Sequence, residues 1–179
     1  MSFSRRKALL ILGSLNNDDL DWMLTYGRKE RLDIGKVLIY KNHQIQALYM
    51  VLDGLLSVCL EEKEVAEIGK GEVVGEISFI DNRPPVATVK AKEKSSVLAI
   101  PRLALTTKLQ ENSGFAARFY QGLAMCLCDR MRSTTQRLGY GSNSKVDSES
   151  EEVIEAERLR LELAQAKFDW LNSLAVSEV

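Results

Sequence analysis

The stretch whose residue types could do chemistry runs from Gly75-Glu76-Ile77-Ser78 through Arg83-Pro84-Pro85 to Val86-Ala87-Thr88-Val89. A glycine, lacking Cβ, lets backbone approach a ligand closely. An acid directly after it can accept a hydrogen bond from a hydroxyl. The amides of the next two residues can point at an anion if they open a helical turn. Together these make the first half of a phosphate cradle. The second half normally brings a cation to the anion. Here that position is Pro85, and the nearest cation, Arg83, stands two residues early, ahead of two prolines that hold it extended. Plainer readings exist for each residue. Glu76 can cap the turn that follows it. Arg83 can be an exposed loop-tip residue, and Pro84-Pro85 a rigid turn that lowers unfolded-state entropy. For Arg83 and the prolines we favour the plainer reading; for Glu76 both stay open.

Other chemistries find no residues. The chain has one histidine, His43, and three cysteines, Cys59, Cys126 and Cys128, with no C-x-x-C spacing, so no metal site is expected. Cys59 falls in a strand-like run and the other two in a helical run; all three read as buried, reduced thiols. A redox switch at Cys126 or Cys128 is the weaker reading. There is no P-loop, no kinase signature, no nucleophile–base set and no paired-carboxylate cleft, so catalysis is not expected. A net charge of −1 lacks the basic excess of a nucleic-acid binder. The basic stretch around Arg130, Arg132 and Arg137 reads as a solvated face. No apolar run approaches the ~20 residues of a membrane span, and Ala8–Gly13 is too short for a signal-peptide core. A cytoplasmic protein is the expectation.

The elements that must position the loop fall into four zones. Residues 4–25 read as two short helices, the second capped by Asn17, with Leu20, Trp22, Met23 and Leu24 as its apolar face. Residues 31–100 hold short apolar or β-branched runs: KVLIYK, ALYMVLDGLLSVCL, KEVAEIG, VATVKA and SSVLAI. Turn signals part them, as expected for an antiparallel barrel or jelly roll. Asp53-Gly54 reads as a tight hairpin turn. Residues 102–138 are helical. One stripe there, Phe115, Phe119, Leu123 and Cys126, suits packing on the barrel. A second, Ala117, Tyr120, Ala124, Leu127, Met131, Thr134 and Leu138, is heptad-like and suits a homodimer. Residues 139–150 read as a flexible linker. Residues 151–175 read as an amphipathic helix whose Phe168, Trp170 and Leu171 dock a protein partner, or which folds back on the chain or extends the dimer's coiled coil; these readings stay open.

The order of elements, with GKVLIYKNHQIQALYMVLDGLLSV, IGKGEVVGEISFIDNRPPVATVKA and VLAIP, resembles the cyclic nucleotide-binding domain family. The resemblance covers roughly residues 15–138. It implies an α+β, mainly β fold: an antiparallel jelly-roll β-barrel flanked by N-terminal helices and a long C-terminal helix, with residues 1–138 as the domain. It implies turn glycines at Gly35, Gly54, Gly71 and Gly75. In the cradle it implies close approach at Gly75, a ribose hydroxyl on Glu76, phosphate on the amides of Ile77 and Ser78, and the cradle's end at Val86 and Ala87. The family's phosphate-pairing arginine corresponds to Pro85, so cAMP or cGMP is expected to bind weakly or not at all. The alternative is a genuine receptor using Glu76, the amides and Arg83. A third reading is an assembly protein. The resemblance also implies a homodimer through the long helix. No helix-turn-helix follows, so a bacterial regulatory module acting through protein partners, without direct DNA binding, is the expectation.

Overall fold

The computed structural model describes residues 9–137 and 151–175. Leu138 and the expected linker at 139–150 lie outside the described residues. The N-terminal helices are α1 (Leu9–Ser14) and α2 (Asn17–Tyr26). The cap of α2 is Asn16, not the expected Asn17: its side chain accepts from the Asp19 amide while the Asp19 carboxylate accepts from the Asn16 amide. This reciprocal box needs an acid three residues on, and only Asn16 has one there. Buried Asp19 also takes a two-pronged hydrogen bond from Arg118, at 2.6 and 2.9 Å.

Eight strands follow. They are β1 (Arg28–Leu32), β2 (Val37–Ile39), β3 (Ala47–Asp53), β4 (Leu55–Leu60), β5 (Lys63–Gly69), β6 (Val73–Val74), β7 (Thr88–Ala91) and β8 (Ser95–Pro101). They form two antiparallel four-stranded sheets, ordered β1-β8-β3-β6 and β2-β7-β4-β5. This is the jelly-roll architecture with flanking helices. The Asp53-Gly54 turn is not a hairpin. β3 is buried from Ala47 to Leu52 and already paired on both edges, by β8 and β6, so β4 has no edge to join and crosses to the other sheet. Gly54 makes that crossing at φ +89°, and a Cβ there would lie 2.7 Å from the Ser95 Cα. The actual hairpin is β4–β5, turned at Glu61 with φ 55°.

Between β6 and β7 lies α3 (Glu76–Asp81); after β8 come α4 (Arg102–Glu111), α5 (Ser113–Arg137) and α6 (Glu151–Ala175). The stripe Phe115, Phe119, Leu123 and Cys126 of α5 is buried, as expected. Rings connect the elements: Phe79 of α3 meets Phe119, Phe119 stacks on Phe115, and Phe115 meets Trp22 of α2. α1 lies between α5 and α6 at two glycine crossings. A Cβ on Gly122 of α5 would sit 2.8 Å from the Ile11 Cα, and one on Gly13 would sit 3.5 Å from the Ala164 Cβ of α6.

Candidate functional site

The loop between β6 and β7 starts at Gly75, which adopts φ +93° at the N-cap of α3. A side chain there would press on Ile45 and the Ala47 carbonyl, 3.3 and 3.4 Å from its Cβ. Gly75 has no side chain to cap α3, so the first amides of the helix carry no intrahelical partner. Glu76, Ile77 and Ser78 are therefore brought together at one helix start. Glu76 is 2% exposed. Its carboxylate is paired with the guanidinium of Arg130, which comes from α5. The other arm of Arg130 donates to the Val73 carbonyl at 2.5 Å. Burial pushes the Glu76 carboxyl above its ordinary range, and the Arg130 charge pulls the other way. One turn earlier, burial pushes the Cys126 thiol up to about 11, which leaves little thiolate for a redox switch.

The second half of the loop is differently held. Asn82 ends α3 in the left-handed region and accepts from Arg102, which also donates to the Ser78 carbonyl. Arg83 is exposed; its amide binds the Asp81 side chain, and its guanidinium makes no hydrogen bond or ion pair among the described residues. Pro85 accepts from the Asn42 amide at 2.8 Å, and Thr88 Oγ1 from the Lys41 amide at 3.3 Å. Val86 is exposed and Ala87 half-buried, while Val89 enters the core. Thus one end of the cradle offers amides and a paired acid, and the position of the expected cation offers a proline carbonyl.

Residues 29–112 match the cyclic nucleotide-binding domain family. This segment is a cyclic nucleotide-binding domain. The chain is 31% identical over 100 residues to the cyclic AMP receptor protein of Thermus thermophilus, a match covering 51% of this chain and 46% of that protein. It is 27% identical over 112 residues to lysophospholipase nte1 of Aspergillus terreus, covering 60% of this chain and 7% of that protein. The chain therefore spans less than half the length of either relative. Among solved structures, the Thermus thermophilus catabolite activator protein superposes with a TM-score of 0.59 at 27% identity, over 73% of this chain and 62% of that one.

Around the cyclic nucleotide-binding domain, the second stripe of α5 faces solvent: Ala117, Tyr120, Ala124 and Met131 are exposed and Leu127 half-buried. The C-terminal helix folds back. Phe168 and Leu171 are buried, and the Lys70 ammonium lies over the Phe168 ring. These two candidate partner contacts are thus core residues, because α1 leaves an apolar face that they cover; Trp170 alone of the three stays exposed. Cys128 is exposed, against the expectation that all three thiols are buried. Among the described residues no cluster could hold a metal, and no helix is long and apolar enough to cross a membrane.

Sequence reasoning missed Arg130, which it took for part of a solvated basic face. The signal was present. Phe119, Leu123, Cys126 and Arg130 continue one stripe at steps of four, three and four. A cation on a core stripe needs a buried acid.

Proposed function

We infer that the chain is a non-enzymatic regulatory module that binds cyclic nucleotides weakly and acts through other copies and protein partners. The observation that carries this reading is the Glu76–Arg130 pair. The acid that would accept the ribose hydroxyl is already satisfied by a cation from the chain's own long helix. A cyclic nucleotide has to compete for that carboxylate and finds no arginine at position 85. A charge-assisted contact to phosphate contributes about 1.5–3 kcal/mol, so its absence weakens binding up to about a hundredfold. The exposed α5 stripe supports a homodimer built on that helix. Titration calorimetry with cAMP and with cGMP is expected to give dissociation constants above the micromolar range; a sub-micromolar constant for either overturns the reading.

One observation favours a second reading, a genuine receptor. The uncapped first amides of α3 and the unpaired guanidinium of Arg83 flank the same loop. In that case Arg83→Ala abolishes binding and Pro85→Arg tightens it. Unchanged affinity in Arg83→Ala removes this reading.

A further inference from the structure

Burying Phe168 and Leu171 does not use up the apolar surface of α6. Leu161, Ala164, Phe168, Leu171 and Ala175 form its inner stripe. On the far side Leu159, Leu163, Trp170 and Leu174 stand exposed, each more than 40% accessible, with exposed Ala166 in line. Leu163 and Trp170 occupy the a positions of a heptad, Leu159, Ala166 and Ser173 its d positions. The flanks then have one sign each. The g positions are Glu155, Glu162 and Asp169; the e positions are Arg160, Lys167 and Leu174. In a parallel two-stranded coil, g of one helix faces e of the next heptad on the other, five residues on. Glu155 and Arg160, and Glu162 and Lys167, have that spacing. An antiparallel pair would set the acidic flank against its own copy.

We propose that the outer face of α6 is a parallel self-association seam, whose occupant is α6 of a second copy of this chain. Glu155 meets Arg160 of the partner subunit, and Glu162 meets Lys167 of the partner subunit. Both acids currently share Arg158, at 2.9 and 3.6 Å, in exposed pairs that are weak and easily shared. Lys167 gives one of its donors to the Leu15 carbonyl and has two more. A seam of some three heptads is short for free peptides. Here each helix is already folded on its own chain, so pairing costs little ordering entropy.

The test uses the full chain carrying Tyr120→Glu and Met131→Glu, which silence the α5 stripe, and Cys128→Ser. Ala166→Cys, at a d position, is expected to form disulfide-linked dimers under mild oxidation. Gln165→Cys, one residue away on the flank, is not. By sedimentation velocity, Glu155→Lys alone and Arg160→Glu alone each weaken association about tenfold, and the two together restore it, with helical content by circular dichroism unchanged. Cross-linking of Ala166→Cys no faster than Gln165→Cys, or a double reversal no better than the single ones, overturns the proposal.

Discussion

The Glu76–Arg130 pair decides the chemistry of the site at the scale of single residues. The carboxylate is out of water, while a quarter of the Arg130 side chain stays accessible. Removing the arginine therefore strands a charge, whereas removing the acid lets the arginine turn to solvent. Breaking a buried pair from the stranded side costs about 3–5 kcal/mol. Arg130→Met is expected to lose that much at neutral pH. The folded carboxyl titrates above its ordinary value of 4.5, and above the unfolded one. Between the two values the folded state holds more protons, so stability falls as pH rises through the window. Without Arg130 the folded value climbs further and the window widens. Urea unfolding of Arg130→Met at pH 5 and pH 7.5 should show the larger loss at pH 7.5, and Glu76→Gln in the same chain should remove the difference. Equal losses at both pH values would show that Arg130 acts by packing alone. Half of this site was legible beforehand. Gly75, Glu76 and the two following amides are contiguous, and their placement comes from local backbone geometry. Arg130 lies fifty-four residues away and reaches Glu76 only because Phe119 and Leu123 seat α5 on the barrel.

Elements are positioned by where they can come close. α1 meets α5 at Gly122, whose missing Cβ lets the Ile11 backbone approach. Alanine is the better helix former by about 1 kcal/mol. Its methyl, however, would strike backbone at 2.8 and 3.2 Å, and overpacking costs about 1–3 kcal/mol. Overpacking wins because backbone cannot rotate aside, so Gly122→Ala should lower the melting temperature by a few degrees; a rise would mean that α1 is free to shift. The same logic separates the two faces of α6. In the unassociated chain, Phe168→Ala empties a buried ring site and should cost about 3–5 kcal/mol, against under 1 kcal/mol for exposed Trp170→Ala. Similar costs at both would contradict the fold-back. Strand content was readable from β-branched runs, and the α5 stripes from their spacing. The Asp53-Gly54 crossing was not, because turn residues record a change of direction but not which edge is free. β1, with the sequence RKERL, has one buried residue, and its pairing with β8 comes from the sheet.

The helices of the whole molecule are layered, and the layering limits how copies could pair. On α5, Tyr120, Ala124 and Met131 lie about half a turn from Gly122, so they face away from α1. On α1, Ile11 meets α5 while Gly13 meets α6, two residues on and on the opposite side. On α6, the outer stripe faces away from Ala164. The order is therefore α5 stripe, α5, α1, α6, α6 stripe, with the two stripes turned outward in opposite directions. A two-fold axis through one stripe cannot also pass through the other. If each stripe pairs isologously with its own copy, using both alternately links copies into larger assemblies rather than closing a dimer. Light scattering on the full chain across a concentration series should give masses above the dimer. Tyr120→Glu with Met131→Glu should leave dimers joined through α6, and Leu163→Glu with Trp170→Glu should leave dimers joined through α5. The four changes together should give monomers whose melting temperature no longer varies with protein concentration, since the contribution of association to stability is lost while the single chain's own packing is untouched. If either pair of changes alone reduces the full chain to monomers, a single axis serves both helices and the layered order is wrong.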